Sequence, residues 1–511
     1  MSKTGRNRPD RVSQALASSR LGVPAVVFFV MSAAAPLTVV GGVITTGYAV
    51  TGITGLPLAF LAVAAVLILF SVGYVAMARH VSNAGAFYTY VTRGLGRPAG
   101  IGAAWVALLA YNMMQVGLYG GFGFIAKPLL DEWFGLDLAW WAIALVSWAL
   151  VAILGVMRVD INGKILAVLL VAEIAVIVVY DASSLLNPSG GTVSYETLKP
   201  GNLFVSGLGA LLVIAVTGFV GFEGAAVFAE ETKNPRRTVP IATYVSVGII
   251  AGLYALSAWA MTVATGPQNI VDTARKDGPE TIFVLAGAHL GTTAVHIGHA
   301  LLLTSLVAAM ISFHNTIARY AFALGRERVL PAAFGRTSRR SGAPKVGSLA
   351  QSALGLLVIV VYAAAGLDPL TQLFFWAGTS GAFGVLLLIT ATSVAVIGFF
   401  NREPNGESAW RRQIAPGLAV LALTAMVVIS VSNFSGLLGV EPTSSLRWII
   451  PALFPLAAAI GIGWALVLKA TRPDVYRSIG LGANSSIGRT GPSVLAPEAP
   501  VQPRVGAEGV R

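Results

Sequence analysis

The chain has 511 residues, of which 56% are hydrophobic and only 11% charged, and its mean hydropathy is +0.77. This composition excludes a soluble globular protein of this length and predicts that the lipid bilayer is the solvent. The formal charge of +12 does not indicate a nucleic-acid partner, because the basic residues are scattered over the loops, and the lack of cysteine excludes disulfides, thiolate nucleophiles and Cys-ligated metals.

Apolar stretches long enough to cross a membrane recur along the chain. A hydrocarbon core of about 30 Å requires a helix of roughly 20 apolar residues. We name these stretches spans 1 to 12 and place them at residues 23–49, 54–78, 99–126, 138–157, 162–181, 203–230, 239–265, 293–324, 346–366, 370–399, 414–434 and 447–469. The sequence therefore predicts an all-α polytopic membrane protein with about 12 transmembrane helices.

Two polar tails flank the apolar part of the chain. Residues 1–20 are basic and polar, and residues 472–511 are rich in Ser, Gly and Pro, so we expect the second tail to be disordered. Residues 21–471 form the predicted membrane domain.

Lysine and arginine are distributed unequally between the two sides of the predicted membrane domain. All but five of the 34 lie in the two tails and in the loops on the same side as the tails. The five on the other side are Lys127, Lys199, Arg275, Lys276 and Arg447. Under the positive-inside rule, both termini of this multi-pass protein are predicted to face the cytoplasm from the inner membrane.

Spans 1 and 6 both contain residues that interrupt a helix. In hydrocarbon an unsatisfied backbone group costs several kcal/mol, so a break must face protein or a wet cavity. Interruptions at matching positions of two five-span halves predict a substrate site near the membrane midplane. The residues concerned, which are candidate substrate contacts, are Ala34, Ala35, Pro36, Leu37, Thr38, Gly41 and Gly42 in span 1 and Thr217, Gly218, Phe219, Gly221 and Phe222 in span 6.

The chemistry of such breaks suits a zwitterion. Free amides at the amino end of a half-helix favour a carboxylate, and free carbonyls favour an ammonium group. Close packing of helices through small residues is the alternative interpretation of both segments.

A long motif follows the break in span 6, since residues 221–240 read GFEGAAVFAEETKNPRRTVP. This stretch closely resembles the signature of the amino acid-polyamine-organocation (APC) superfamily, in which GFE is followed by EE, KNP, RR and a proline that opens span 7. Residues 82–90 (SNAGAFYTY), 314–319 (HNTIAR) and 325–331 (GRERVLP) agree with the same family. The resemblance covers roughly residues 20–470.

The resemblance implies a leucine-transporter-like fold. Spans 1–5 (about 23–181) and spans 6–10 (about 203–399) would form a five-plus-five inverted repeat, with spans 11 and 12 (about 414–469) as accessory helices. The substrate would lie at the two breaks, under an aromatic gate formed by Phe219 or Phe222. Span 1 lacks the family's usual Gly-Ser/Thr-Gly. The residues that would contact the substrate carboxylate are therefore either 34–37 or 40–42.

Two acidic residues, Glu173 and Glu223, lie well inside predicted spans. A charge at the bilayer centre costs at least about 2.5–3.5 kcal/mol, so each carboxyl is neutral, paired or directed at a cavity. Glu223 resembles a family glutamate suspected of sensing protons. Glu173 would face span 1 in the implied fold, where some relatives carry a lysine. We interpret both as candidates for proton coupling or gating, and pairing with a cationic substrate is a second functional interpretation of Glu173. The alternative for each is a neutral carboxyl that only forms structural hydrogen bonds.

Sodium is the competing coupling ion. The implied fold holds sodium between span-1 carbonyls and span-8 hydroxyls, and span 8 offers Thr304, Ser305 and Ser312. Such hydroxyls more often bond to carbonyls of their own helix, so the proton is the favoured coupling ion and no bound metal or organic cofactor is expected.

Other polar residues inside spans are Asn112, Gln115 and His314. The first two, beside Tyr111 on span 3, are candidates for lining the substrate pocket, and interhelical hydrogen bonding is the alternative. For His314 we favour an interhelical hydrogen bond over a proton relay.

The sequence carries no motif of another function class. It has no His-Glu-x-x-His, Gly-x-Ser-x-Gly or Walker-type phosphate loop, which argues against an enzyme or an ATP-driven pump, and no repeated filter segment of a channel. We therefore predict a secondary active transporter for an amino acid or related amine, with proton symport as the leading mode. An exchanger, a sodium-coupled permease and a polyamine or ethanolamine-type permease are the alternatives. The expected partners are a small-molecule substrate and the bilayer, and a homodimer remains open.

Overall fold

The structure is a computed structural model that describes residues 12, 13, 21–81, 83–157, 159–205, 207–338 and 341–482. Of residues 12, 13 and 159–166 it describes the backbone alone. The basic residues of the predicted amino-terminal tail, Ser82 of the second motif and the predicted disordered tail beyond Gly482 lie outside the described residues.

Eleven helices of the described chain are long and apolar enough to cross a membrane. They are span 1 (Val23–Thr51), span 2 (Leu56–Ala78), span 3 (Arg97–Phe134), span 5 (Ala167–Leu186), span 6 (Leu208–Ala226), span 7 (Pro235–Thr265), span 8 (Thr292–Arg326), span 9 (Lys345–Ala364), span 10 (Pro369–Arg402), span 11 (Trp410–Ser432) and span 12 (Leu446–Thr471). Span 4 is the shorter apolar helix Trp140–Gly155. The predicted all-α polytopic fold is confirmed.

The spans differ in how much of their surface the protein covers. In the most apolar window of span 6, 78% of the residues are buried inside the protein, against 22% in span 12. Span 12 leaves large apolar side chains such as Leu456, Ile460 and Leu466 exposed. Because lipid tails solvate such side chains as well as a protein core does, span 12 is a peripheral helix and span 6 a central one.

Span 1 is broken at Ala35. The α-helix Val23–Ala34 ends there, because Ala35 adopts a left-handed backbone conformation with φ 48° and ψ 68°. Pro36 follows and lacks the amide hydrogen that a continuing helix needs, while its ring disfavours helical geometry in the residue before it. The span then resumes as Pro36–Thr38, a π-helical stretch Val39–Ile44 and the α-helix Thr45–Thr51.

Span 6 is broken at Val220 and Gly221. The α-helix Leu208–Phe219 ends at Val220, which has φ -59° and ψ 131°, and Gly221 has φ 112°. Glycine adopts this positive φ without steric cost. The chain continues as the short 3-10 helices Phe222–Ala226 and Ala229–Glu231.

Spans 1 and 6 run in opposite directions. The Leu21 amide before span 1 donates to the carbonyl of Glu231 at 3.0 Å, and the Lys233 amide donates back to Leu21 at 3.0 Å. Span 1 therefore begins on the side of the bundle where span 6 ends, as an inverted repeat requires. We call the side that carries Leu21, Glu231 and Gly482 the terminal side.

Short elements connect or flank the spans. The helices among them are Ala86–Leu95, Ile270–Asp277, Thr281–Leu290, Phe434–Leu438 and Pro473–Ser478. Val12–Ser13 pairs antiparallel with Thr337–Ser338.

The start of span 7 differs from the sequence prediction. The proline expected to open this span is Pro240, whereas the helix begins at Pro235 and contains Pro240. Pro235 fits because its missing amide hydrogen belongs to the first turn, where helical amides have no partner in any case.

The carboxyl-terminal tail is structured at its start, although the sequence predicts disorder from residue 472. The helix Pro473–Ser478 is followed by Gly480 and Gly482, whose amides donate to the Glu327 carboxylate at 2.9 and 2.8 Å. Burial raises the pKa of Glu327, and the two amides and Arg326 oppose that rise. These bonds hold the tail on the terminal side.

Candidate substrate and coupling site

The breaks in spans 1 and 6 lie against each other. A Cβ atom at Gly221 would lie 2.6 Å from the Cβ of Ala33, so the two backbones approach as closely as only glycine allows. The Tyr254 hydroxyl of span 7 donates to the Ala34 carbonyl at 3.0 Å. The break in span 1 is therefore fixed by neighbouring helices, and one carbonyl near it is already satisfied.

A cavity of about 220 Å³ lies beside the two breaks. Spans 1 and 6 line it with Ala34, Ala35, Thr38, Thr217 and Val220, and spans 3, 8 and 10 line it with residues that include Met114, Gly117, Phe313, Phe374 and Phe375. None of its described lining residues is charged. The charged groups of a bound substrate would therefore have to be met by backbone groups and by threonine hydroxyls, of which those of Thr38 and Thr217 lie at the two breaks.

The cavity extends away from the terminal side. Its lining includes Val50, Thr371 and Leu438. Val50 lies near the end of span 1, Thr371 near the start of span 10, and Leu438 in the short helix after span 11. These are the span ends that lie away from the terminal side.

Not all the predicted substrate contacts line this cavity. Ala34, Ala35, Thr38 and Thr217 do so, and Gly221 lines a small adjoining space beside Glu223. Pro36 and Leu37 are buried within the break, and Gly41 lies nearest the carbonyl of Pro279. Gly42 and Gly218 do not line it either, and Gly218 packs against Val39, Tyr254 and Phe60.

The two predicted gate residues, Phe219 and Phe222, lie outside the cavity lining. The Phe219 ring is 6.2 Å from Phe60 of span 2, and the Phe222 ring is 5.9 Å from Phe70 of the same span. Phe313, Phe374 and Phe375 are the aromatic residues that line the cavity. The sequence could not show this, because the turn at Gly221 decides in which direction the flanking side chains point.

Asn112 and Gln115 of span 3 also lie outside the cavity lining. The Asn112 side chain donates to the Leu108 carbonyl at 2.6 Å, and Gln115 donates to the Tyr119 hydroxyl at 3.0 Å. Their neighbours Met114 and Gly117 line the cavity instead. Packing sets the rotation of span 3 about its axis. This rotation decides that Met114 and Gly117 line the cavity and that Asn112 and Gln115 do not.

Glu173 joins spans 5, 1 and 8. It is 1% exposed, and its Oε1 accepts hydrogen bonds from the Leu37 amide at 2.5 Å and from the Ser305 hydroxyl at 2.6 Å. The Thr38 hydroxyl donates to Ser305 at 3.2 Å. The break in span 1 is thus connected to span 8 through one carboxyl oxygen.

Glu223 is held within the break of span 6. Its Oε2 accepts from the Gly221 amide at 2.9 Å, and its Oε1 accepts from the Tyr111 hydroxyl at 2.7 Å. Tyr74 donates to the Glu223 carbonyl at 2.7 Å. Both carboxyl oxygens are therefore engaged, and the segment is tied to spans 2 and 3.

The polar residues of span 8 separate into two groups. Ser305 and Ser312 reach other spans, since Ser312 donates to the Phe29 carbonyl at 3.2 Å. Thr304 bonds to its own helix at Leu301. His314 contacts the Ser348 hydroxyl of span 9 at 2.7 Å, which is an interhelical hydrogen bond.

Asp181 is a third acid buried inside a described span, and the sequence did not single it out. It is 3% exposed in span 5 and accepts a hydrogen bond from the Ser257 hydroxyl of span 7 at 2.7 Å. The sequence placed this residue at the end of span 5, whereas the helix continues to Leu186. The long apolar run that precedes Asp181 is the sequence signal that would place this residue inside a span.

Residues of the four sequence stretches that resemble the family meet on the terminal side. Glu231 pairs with Arg319 at 2.5 Å, and both are at most 2% exposed. Glu230 accepts two hydrogen bonds from Arg326, at 2.7 and 2.8 Å, and a third from the Ala84 amide at 3.0 Å. These bonds link the end of span 6 to span 8 and to the loop after span 2. They lie between the two breaks and the terminal surface of the protein.

A comparison with protein families bears on this arrangement. The family model for amino acid permeases matches residues 25–475, which is nearly the whole described membrane domain. The chain belongs to the amino acid permease family. The resemblance to the APC superfamily is therefore confirmed.

Several curated relatives of this chain are transporters. It is 24% identical to the low-affinity putrescine importer PlaP of Escherichia coli, over 70% of this chain and 77% of that protein. It is 26% identical to the lysine-specific permease LysP of Lactococcus lactis, over 56% and 58% of the two chains. It is 27% identical to mouse cationic amino acid transporter 4, but the match spans only 51% of this chain and 39% of the mouse protein.

Proposed function

We propose that this protein is a secondary active transporter that moves an amino acid or a related amine across the cytoplasmic membrane by proton symport. The observation that carries the proposal is the position of Glu173. Its carboxyl accepts from Leu37 in the break of span 1 and from Ser305 of span 8, directly behind the cavity.

Glu173 is suited to carry a proton. Its described partners are an uncharged amide and a hydroxyl, with no cation among them. A buried carboxylate without a counter-charge is unfavourable in a membrane, and a proton removes that cost. An ionised oxygen binds the Leu37 amide more strongly than a neutral one, so protonation loosens the break in span 1.

The substrate class follows from the backbone at the two breaks. The cavity wall is largely apolar, and the polar side chains that line it are those of threonines, so an ammonium group is best met by carbonyls and a carboxylate by amides. The names of the relatives specify lysine, cationic amino acids and putrescine, which share an amine. An amino acid or amine therefore suits both the geometry and the family.

The orientation follows from charge. We place the terminal side in the cytoplasm because the topology predicted from the sequence assigns nearly all the lysine and arginine residues to the side of the tails. The Glu231–Arg319 and Glu230–Arg326 pairs then close the cytoplasmic side, while the cavity extends toward the outer side. This arrangement corresponds to a conformation that receives substrate from outside.

Sodium symport is the second candidate, because oxygens that suit this ion meet at the same place. The Glu173 carboxyl, the Ser305 hydroxyl and the Thr38 hydroxyl form a connected set with separations of 2.6 and 3.2 Å. A hard cation prefers such oxygen ligands.

The test is uptake by the purified protein in liposomes. Radiolabelled amino acids and amines are screened under an inward proton gradient without sodium, and then under a sodium gradient at equal pH. Accumulation that requires the proton gradient supports the proposal. Accumulation that requires sodium supports the second candidate, and uptake that requires only internal substrate identifies an exchanger and contradicts symport.

A further inference from the structure

Three arginines surround a second cavity of about 120 Å³ on the terminal side. Arg93 lies at the end of the helix Ala86–Leu95, Arg97 at the start of span 3 and Arg402 at the end of span 10. One acidic residue, Glu403, also lines this cavity. The cavity shares no lining residue with the substrate cavity, and its wall carries an excess of positive charge.

The three guanidinium groups have no ion-pair partner among the described residues, although Glu403 lines the cavity and Glu327 acts on Arg97 at longer range. No carboxylate oxygen of the described residues lies within 4.0 Å of the side-chain nitrogens of these three arginines. The Nε atoms of Arg93 and Arg97 are buried and have no hydrogen-bond partner in the described part of the chain. Arg402 donates to the carbonyls of Arg93 and Gly94, and Arg97 to that of Arg477. Buried guanidinium nitrogens without partners are costly, and a bound anion would satisfy them.

An apolar groove of about 590 Å³ lies next to this cavity. Spans 3, 10 and 12 line the groove with residues that include Ala99, Ala103, Leu387, Ala458 and Ile462. Leu95 also lines it, and this residue lies between Arg93 and Arg97 in the sequence. The helix Ala86–Leu95 and the start of span 3 therefore line both the groove and the arginine cavity, which places the two at the same corner of the protein.

We propose that this corner binds an anionic phospholipid, with its phosphate among Arg93, Arg97 and Arg402 and an acyl chain in the apolar groove. Charge complementarity selects the headgroup, because basic pockets between membrane helices on the cytoplasmic side bind anionic lipid headgroups. The groove provides the apolar surface that a free phosphate ion would not use. A zwitterionic headgroup is disfavoured, since its cation would face the same three arginines.

The bound lipid would hold separate parts of the protein together. Ile479 and Leu481 of the carboxyl-terminal segment form part of the cavity wall, beside the ends of spans 3 and 10. Span 10 also lines the substrate cavity through Phe374 and Phe375. The proposal does not depend on the transported substrate or on the coupling ion.

The test measures lipid binding by native mass spectrometry of the full-length protein. The protein is mixed with equal amounts of dioleoylphosphatidylglycerol and dioleoylphosphatidylcholine, and the lipids retained are counted. We expect selective retention of phosphatidylglycerol, reduced about fivefold by Arg93→Gln and again by Arg97→Gln, since each basic residue near the surface contributes about one kcal/mol. Arg402 is not changed, because its bonds to backbone carbonyls are structural.

The control variant is Arg236→Gln, which removes an exposed arginine of the terminal side that does not line this cavity. An equal loss in this variant would mean a diffuse charge effect and would overturn the proposal. Equal retention of the two lipids would also overturn it. Competition by glycerol 3-phosphate or inorganic phosphate as effective as that by the whole lipid would identify a free-anion site and refute the lipid assignment. Thermal unfolding of each variant checks that the fold is retained.

Discussion

The Oε1 atom of Glu173 lies 2.6 Å from the hydroxyl of Ser305, and this contact joins span 5 to span 8 beside the break in span 1. The same oxygen accepts from the Leu37 amide, so one protonation event acts on both contacts. This relationship leads to the first two predictions.

Glu173→Gln is expected to abolish accumulation driven by a proton gradient and to preserve exchange of labelled for unlabelled substrate. Glutamine still offers an oxygen to Leu37 but cannot take up the coupled proton. A gradient of one pH unit supplies about 1.4 kcal/mol, so the wild-type protein should accumulate substrate about tenfold and the variant should only equilibrate it. Uptake and counterflow in liposomes measure both quantities.

The control for this prediction is Glu280→Gln, because Glu280 is a half-exposed acid whose described contact is His299. It should accumulate substrate normally. Accumulation by Glu173→Gln that equals that of the wild type would exclude Glu173 as the proton carrier and would leave Glu223 as the next candidate.

Ser305→Ala should weaken coupling, whereas Thr304→Ala should not. Ser305 donates to Glu173, while the neighbouring Thr304 bonds to a carbonyl of its own helix. Loss of a hydrogen bond to a carboxylate costs about 1.5–3 kcal/mol, which should shift the pH at which uptake is half-maximal. The pH profile of initial uptake is measured for both variants. The same shift in Thr304→Ala would contradict the assigned role of Ser305.

Gly221→Ala should destabilise the protein and stop transport. Gly221 has φ 112°, and a Cβ atom there would lie 2.6 Å from the Cβ of Ala33. Backbone strain of this kind costs about 1–3 kcal/mol, and the overlap separates the two breaks. Gly252→Ala is the control, since a Cβ at this helical position meets no atom within 4 Å. Thermal unfolding and substrate binding are measured, and normal binding by Gly221→Ala would show that the close approach is not required.

Arg319→Ala should be strongly destabilising, because it leaves the buried Glu231 carboxylate unpaired. Breaking a buried pair in this way costs about 3–5 kcal/mol, whereas replacing both partners by apolar residues costs much less. The double variant Glu231→Leu/Arg319→Met should therefore unfold at a higher temperature than Arg319→Ala. The exposed pair of Lys199 and Glu196 provides the comparison, and Lys199→Ala should leave the unfolding temperature unchanged. A double variant less stable than the single one would contradict the argument.

Glu327→Ala should release the carboxyl-terminal segment from the terminal side. It removes the acceptor of the Gly480 and Gly482 amides, and a buried amide without a partner costs about 1–3 kcal/mol. Trypsin should then cleave faster after Arg477, which is exposed but lies within the docked segment. Glu441→Ala, at an exposed acid on the other side, is the control. Unchanged cleavage in Glu327→Ala would show that other contacts hold the segment.

Much of the fold could be predicted from the sequence because it depends on local properties. Apolar length located each span, and the prediction of 447–469 for span 12 differs from the observed Leu446–Thr471 by at most two residues. Pro36 and Gly221 marked the two breaks, since proline lacks an amide hydrogen and glycine tolerates a positive φ. The motif around Glu230 and Glu231 indicated the family.

The partners of the individual side chains could not be predicted from the sequence. The sequence indicates Gln115 and Phe219 as candidates for the pocket, whereas neither lines the cavity and each contacts a neighbouring side chain, because the rotation of a helix depends on all its neighbours. Asp181 was placed at a span end because helix boundaries are weakly encoded locally. Nothing in the sequence showed that Glu173 would contact Ser305, 132 positions away.

By itself, then, the sequence determined that this chain spans a membrane many times, where spans 1 and 6 break and which family it belongs to. These properties follow from apolar length, backbone chemistry and a continuous motif, all of which act over short stretches of chain. Only the tertiary structure decided which residues line the cavity, that one oxygen of Glu173 connects three spans and that three arginines meet beside an apolar groove. Those arrangements arise from the packing of distant helices, in which every contact depends on the position of the others.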